Sequence, residues 1–137
     1  MDTVARKVEY YYASVKDQPG MAYKILESLQ QMGVNQLAFA AIPIGPEACQ
    51  LAIFPEDPAK LTHEAQLAGL QLSGPYHAFL VQGADKMGAL VELHQKLFKA
   101  NVNVYASTGV TDGKGNFGYL IYVKEDDFKR AAEVLGI

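Results

Sequence analysis

The sequence has one cysteine, no tryptophan and no apolar run close to the length of a membrane-spanning helix. Cys49 cannot form an internal disulfide, and it has no cysteine companions for a zinc site. A spanning helix requires roughly 20 apolar residues. The segment 1–7 carries charges where a signal peptide would have its apolar centre. We therefore expect a cytoplasmic protein with no membrane segment.

An excess of one charge is also missing. The 137 residues include 12 basic and 15 acidic side chains, for a formal net charge of −3. Residues 76–137 carry seven of each sign. A protein that binds a phosphate backbone normally presents a basic face. The charge balance therefore disfavours a nucleic-acid partner.

Catalytic motifs are absent from the sequence. It has no nucleophile elbow, phosphate-binding loop or dinucleotide fingerprint. Its histidines, His63, His77 and His94, lack the spacing of zinc ligands, and we expect His77 and His94 to be structural. We predict a protein that is not an enzyme, with no catalytic residue, no metal site and no cofactor.

The first half of the sequence has a clear order of strands and helices. Val8–Val15 is β-branched and aromatic, and a proline–glycine turn follows it. Apolar residues then recur with helical spacing from residue 21 to residue 32. Two strand-like runs, a second helix at 61–68 and a short extended piece at 70–73 complete the order βαββαβ.

The same pattern occurs twice. A shift of 68 positions aligns the apolar face of the first helix with Ala89, Leu93, Leu97 and Ala100. Gly33, predicted to end the first helix in a left-handed conformation, aligns with Asn101. We predict two units, residues 1–73 and 76–137, closely joined by Gly74-Pro75 in one compact body.

The element order predicts the fold. With right-handed crossovers, a βαββαβ unit gives a four-stranded antiparallel sheet in the order 4-1-3-2 with both helices on one face. The fold class is thus α+β, with two ferredoxin-like units in tandem. The second unit ends at Ile137, where its last strand would begin. An open sheet edge invites cover from the neighbouring repeat or another chain, and we expect a homodimer.

The repeat resembles the ACT domain, a small regulatory module of amino-acid-metabolism enzymes that also occurs free-standing and in tandem. The likeness is carried by Asp17-Gln18-Pro19-Gly20-Met21-Ala22 at the first strand-to-helix turn and by Gly33-Val34-Asn35 at the next strand. It spans nearly the whole chain. The second repeat departs from the family pattern, with Met87 in place of the proline and Asn101 in place of the glycine.

The resemblance implies that a small molecule, usually an amino acid, binds at this turn, often between two ACT units. A helix N-terminus independently favours a carboxylate because its first N–H groups have no partner within the helix. Asp17 could then hold the ammonium group. Asn35 of an adjacent unit could bond to either group. The candidate ligand-binding residues are Asp17, Gln18, Pro19, Gly20, Met21, Ala22 and Asn35, with the second-repeat counterparts Asp85, Lys86, Met87, Gly88, Ala89 and Asn103.

Three other interpretations stay open. The aspartates could simply cap their helices. The chain could be a dimerisation or protein-interaction module, docking on an enzyme or another regulatory protein without a ligand. Finally, Lys114–Tyr122 resembles the RNP1 strand of RNA-recognition motifs, although a hairpin turn followed by a packed aromatic strand explains the same residues. The interpretation we favour is a regulatory protein that binds an amino acid or a similar small zwitterion.

Overall fold

The computed structural model describes residues 3–137 and has ten helices and strands within that range. None of its helices in this range is long and apolar enough to cross a membrane. In chain order the elements are β1 Thr3–Lys16, α1 Met21–Gln31, β2 Gln36–Pro43, β3 Ala48–Pro55, α2 Pro58–Ala68, β4 Ser73–Ala84, α3 Ala89–Lys99, β5 Val104–Thr111, β6 Asn116–Val123 and α4 Glu125–Val134.

The predicted duplication is present in the structure. The helices α1 and α3 each have 11 residues and start 68 positions apart. Gly33 follows α1 with φ 74°, and Asn101 follows α3 with φ 58°. Asparagine tolerates this left-handed conformation better than most residues, since its side chain bonds locally. The aligned helix ends therefore have the same local geometry despite different residues.

The strands form two compact units with the same topology. The strand order is β2-β3-β1-β4-β6-β5. A first-repeat unit comprises Glu9–Tyr76, and a second-repeat unit comprises residues 3–8 together with His77–Ile137. Each unit therefore has the predicted ferredoxin-like order 4-1-3-2. The α+β fold with antiparallel ferredoxin-like sheets is confirmed.

Strands β1 and β4 differ in extent from the sequence prediction. Strand β1 begins at Thr3 rather than Val8, and residues 3–8 lie in the second-repeat unit. Strand β4 begins at Ser73, and residues 70–72 are not in a strand. Among the described residues that follow α4, 135–137, there is no strand, as expected, and residues 3–8 provide the fourth strand beside β4.

Both helices of each unit pack on the same face of its strands. In the first-repeat unit, Leu29 of α1 and Leu61 of α2 are fully buried in one cluster with Leu51 and Ile53 of β3. The second-repeat cluster is built in the same way from α3, α4, β4 and β6, and its buried members include Phe79, Leu97, Ile121 and Ala131. The opposite face also carries buried side chains, among them Tyr10, Phe54, Ala78 and Leu80.

Within residues 3–8, Ala5 is expected to contribute to stability through its contact with the second-repeat core. Ala5 packs against the second-repeat core, whereas the adjacent Val4 is 69% exposed. Ala5→Asp places an unpaired carboxylate against this core and should lower the free energy of unfolding by about 2 kcal/mol or more. Val4→Asp is the matched control, with an expected change within about 0.5 kcal/mol. Equilibrium urea unfolding measures both, and equal losses would contradict the packing of Ala5.

Candidate functional site

The second-repeat turn joins β4 to α3 and leaves the start of the helix without a side-chain cap. Gly88 is the N-cap residue, has φ 78° and gives no side-chain cap hydrogen bond. The Asp85 N–H donates to Gly115 O at 2.8 Å, and the Ala89 N–H donates to Lys86 O at 3.1 Å. These bonds fix the turn. The Val91 N–H donates to the carbonyl of the N-cap Gly88 at 3.0 Å, so only part of the first helical turn has the unpaired N–H groups typical of a helix start.

A cavity of about 520 Å³ lies beside this turn. The turn and the start of α3 form one wall, and the β5–β6 hairpin forms the other. Its lining residues are Asp85, Lys86, Gly88, Ala89, Leu90, Val91, Gly109, Val110, Thr111, Phe117, Gly118 and Tyr119. Pockets for small molecules are typically concave and mostly apolar, with a few polar groups that orient the ligand. The composition of this lining follows that pattern.

The hairpin wall depends on the close approach of Gly109 and Tyr119. These residues are paired across β5 and β6. A Cβ atom on Gly109 would lie 2.9 Å from Tyr119 Cδ1, which is closer than real Cβ contacts. Glycine within a strand often marks such an approach. The Tyr119 ring therefore lies against bare backbone on the edge strand.

Tyr119 is held in place at its hydroxyl end as well. The hydroxyl and His94 Nε2 are hydrogen-bonded at 2.7 Å. Only 6% of Tyr119 is exposed, and it belongs to the second-repeat core. His94 is partly buried on α3. The pair thus ties the hairpin wall to the helix wall, which is the structural role that the sequence predicted for His94.

The polar groups at the turn carry opposite charges. Asp85 and Lys86 are adjacent and exposed. Within residues 3–137, neither the Asp85 carboxylate nor the Lys86 ammonium pairs with another group. The two charges make the turn neutral overall, with one site for a cation and one for an anion. This arrangement is complementary to a small zwitterion.

Four of the six second-repeat residues predicted to bind a ligand line the cavity. They are Asp85, Lys86, Gly88 and Ala89. The Met87 side chain is fully exposed instead. Asn103 lies after the C-terminal end of α3 and just before β5, so the same unit does not bring it to the turn. A role for Asn103 would require an adjacent unit, as the resemblance implies.

The first-repeat candidates form the turn between β1 and α1. Residues 17–20 are exposed, and Met21 and Ala22 are partly buried. Two cavities in this unit, of about 270 and 170 Å³, are lined by other segments. Asn35 borders the smaller one, where its Nδ2 donates to Glu56 Oε2 at 2.9 Å. Asn35 is therefore not brought to its own unit's turn.

The alternative that the aspartates cap their helices is not what the structure shows. Helix α1 begins at Met21 with Gly20 as its N-cap, and no side chain bonds to its first turn. Pro19 consequently lies before the N-cap rather than at the first helical position. Helix α2 provides the contrast, since its N-cap Asp57 accepts a hydrogen bond from the Lys60 N–H at 3.2 Å. Asp17 and Asp85 do not do the same.

The hairpin residues of the cavity were not among the sequence-predicted site residues. Two signals pointed to them. Gly109 interrupts a strand pattern, and Phe117 and Tyr119 belong to the segment that resembles RNP1. The Tyr119 ring is packed in the core on the helix side of β6. An RNP1 strand requires exposed aromatic faces for base stacking, so the packed-strand interpretation of this segment describes it better.

The remaining titratable candidates are involved in local contacts. His77 Nδ1 lies 3.4 Å from Glu125 Oε1, and the His77 ring contacts Phe128 with 5.5 Å between centroids. Cys49 is a partly buried free thiol in β3. Among the described residues, no group of three or more His, Cys, Asp or Glu side chains is placed to hold a metal ion.

Sequence comparison finds no matching family model and no similar curated protein. Structural comparison finds related folds. A protein of Bacteroides thetaiotaomicron matches with a TM-score of 0.79 at 14% identity, covering 96% of this chain and 88% of that one. The ligand-free regulatory subunit of aspartate kinase from Thermus thermophilus matches with a TM-score of 0.64 at 13% identity, covering 98% and 95%.

A third match places the same fold inside a larger enzyme. The aspartate kinase of Clostridium acetobutylicum, described as allosteric, matches with a TM-score of 0.56 at 18% identity. The match covers 97% of this chain but 33% of the kinase chain. These similarities show a shared fold, and they support the ACT-like fold predicted from the repeat.

Loss of the Tyr119 hydroxyl should weaken the protein measurably. Tyr119→Phe removes the hydrogen bond to His94 and should lower the free energy of unfolding by about 1 kcal/mol. Tyr105→Phe is the control because Tyr105 is exposed, and it should leave stability unchanged. Urea unfolding at neutral pH compares the two variants. A Tyr119→Phe protein as stable as the control would contradict the bond's contribution.

Asp112 should make the stability of the cavity hairpin depend on pH. Hydrogen bonds from the backbone N–H groups of Lys114 and Asn116 hold the pKa of the Asp112 carboxyl below its usual value. A lowered native pKa means that the stabilisation is present above the unfolded-state pKa and is lost as the pH falls through the native one.

The matched variant is Asp112→Asn, which retains a side-chain acceptor but does not titrate. Its free energy of unfolding should fall less than that of the unmodified protein between about pH 5 and about pH 2. Urea unfolding across this range tests the expectation. Identical pH profiles for the two proteins would show that Asp112 does not contribute to the acid dependence.

Proposed function

We propose that this protein is a non-catalytic regulatory module that binds an amino acid, or a similar small zwitterion, in the second-repeat cavity. One observation carries the proposal. The turn that the ACT resemblance and the helix N-terminus both indicated borders a cavity of about 520 Å³, and Asp85 and Lys86 line it.

The expected binding geometry follows from the charges at the turn. The ligand carboxylate faces the uncapped start of α3 and the Lys86 ammonium, since a helix N-terminus carries a partial positive charge. The ligand ammonium faces the Asp85 carboxylate. Gly88 has no side chain that would block the approach of the ligand to the helix backbone. The ligand side chain then extends between α3 and the hairpin.

The regulatory part of the proposal draws support from the structural neighbours. The Thermus thermophilus protein is a regulatory subunit of aspartate kinase, and the Clostridium acetobutylicum kinase is an allosteric enzyme. By analogy, we propose that this chain passes its ligand signal to a partner enzyme or regulatory protein.

Ligand binding would be coupled to assembly as a homodimer. If a second copy contributes residues such as Asn35 or Asn103 to the turn, the assembled form binds the ligand more tightly. Mass action then makes the ligand stabilise the dimer. A ligand that binds the single chain and the dimer equally well would not change the equilibrium between them.

A partner-docking role without a ligand is the second candidate, and one surface favours it. Val91 and Phe98 are 69% and 81% exposed on α3, and Met87 immediately before the helix is fully exposed. Several large apolar side chains exposed close together are typical of interaction sites. A protein that binds no amino acid but depends on Phe98 to associate with itself or an enzyme would fit this role.

A thermal-shift screen against the common amino acids tests the ligand proposal. A ligand present at 100 times its Kd should add roughly 2.7 kcal/mol to the unfolding free energy, which corresponds to a shift of several degrees. Asp85→Asn should weaken binding of the best ligand by about tenfold, because it removes a charge-assisted bond. Calorimetric titration gives the affinities.

Asp17→Asn is the matched control, since Asp17 aligns with Asp85 in the other repeat. It should leave the affinity for the second-repeat cavity unchanged. Equal losses in the two variants would mean that both turns bind. A flat screen with the unmodified protein would contradict the ligand proposal and favour the docking role.

A further inference from the structure

We infer that the second-repeat cavity selects amino acids with an apolar side chain, and that Gly109 sets the size of the side chain it accepts. The inference rests on the proposed function and specifies the class of ligand. It is carried by the apolar residues of the cavity lining, which come from the first turn of α3 and from β5 and β6.

The wall beyond the charged turn is aliphatic and aromatic. It is formed by Leu90 and Val91 on the helix, Val110 on β5, and Phe117 and Tyr119 on β6. The charged residues in the lining are Asp85 and Lys86, both in the turn. These two charges match the ammonium and carboxylate groups of an α-amino acid, so none is left for a charged side chain.

A charged ligand side chain would lose water against this wall without gaining a partner. The Tyr119 hydroxyl is already bonded to His94 at 2.7 Å. The Thr111 hydroxyl is the one other side-chain hydroxyl in the lining. Burying an unpaired charge is strongly unfavourable, whereas burying apolar surface is favourable. The wall therefore discriminates by the polarity of the side chain.

Gly109 determines how much room the Tyr119 ring leaves. A Cβ atom at this position would lie 2.9 Å from Tyr119 Cδ1, so the ring would have to move. Core packing and the His94 bond restrict that movement. At the aligned positions of the first repeat, Ala41 pairs with Leu51, a smaller side chain than tyrosine. Gly109 and the Tyr119 ring therefore occur together in the repeat that has the 520 Å³ cavity.

The first test compares ligands of similar length that differ in charge or polarity. Norleucine should bind the full-length protein at least about tenfold more tightly than lysine, which has the same four side-chain carbons with an ammonium group on the last one. Leucine should bind more tightly than asparagine by a similar factor. Calorimetric titration at a fixed ionic strength measures the four affinities.

The second test alters the wall at an exposed position. Val110 is 71% exposed and lines the cavity, so Val110→Asp is compatible with folding. The new carboxylate should reduce or reverse the preference for norleucine over lysine. Ile42→Asp is the matched control, because Ile42 aligns with Val110 in the first repeat and is also exposed. It should leave the preference unchanged.

The third test addresses Gly109 directly. Gly109→Ala should weaken binding of the best apolar ligand by about tenfold. Ala41→Ser is the matched control, since it adds one heavy atom at the aligned and exposed position of the first repeat, and it should change the affinity by no more than about twofold. An unchanged affinity in a folded Gly109→Ala protein would overturn the assigned role of this glycine.

The outcomes separate this inference from the proposed function. Tight lysine or asparagine binding that Asp85→Asn abolishes would overturn the apolar selectivity while the ligand site stands. No binding by any of the four amino acids, with a dimer that Val110→Asp dissociates, would overturn both and identify the wall as an interface between copies of the chain. A preference for the apolar partner in both pairs, reduced by Val110→Asp, would support the inference.

Discussion

The rest of this structure depends on one constraint, which is that the free edge of each unit's first strand must be hydrogen-bonded by a fourth strand. A βαββαβ unit needs a strand on the far side of its first strand, and unpaired strand edges are unfavourable. In the second repeat, residues 3–8 fill this position. The consequence extends to the candidate site. Thr3 lines a small cavity of about 50 Å³ next to the turn, together with Lys86, Gly88 and Ala89. The start of the chain thus supports the turn that carries the proposed ligand site, although the two are far apart in sequence.

The two repeats have the same fold but differ at one cross-strand residue pair in the hairpin that follows the first helix of each repeat. Ala41 pairs with Leu51 in the first repeat, and Gly109 pairs with Tyr119 in the second. The second pair combines the smallest residue with a large aromatic one, and this combination leaves bare backbone beside a rigid ring. A duplicated fold provides two equivalent turns. The walls around those turns are set by a few side chains, and the walls determine whether a turn can enclose a ligand.

The sequence was sufficient for the features that depend on local pattern. Helical spacing, the shift of 68 positions and the left-handed Asn101 all follow from residues close together in the chain. The extent of β1 did not follow, because Arg6 and Lys7 make residues 3–7 look like a polar terminus and their pairing partner is β4. The cavity could not be predicted from the sequence either. Its turn was predicted from the motif, but the wall depends on the register between Gly109 and Tyr119, which pattern alone does not give.

The helix starts show why a turn alone is insufficient evidence for a site. Helix α2 has a conventional cap, since the Asp57 side chain accepts a bond from its first turn. Helices α1 and α3 both begin after a left-handed glycine without a side-chain cap. If an uncapped helix start were sufficient for binding, the two turns would be equivalent. The second turn differs because the oppositely charged Asp85 and Lys86 line a cavity together with apolar side chains of α3, β5 and β6, whereas Gln18 is the first-repeat counterpart of Lys86. In the proposed function, binding specificity would therefore arise from the divergence of the residues around the two turns, while the glycine turn retained in both repeats would supply the backbone that the ligand carboxylate contacts.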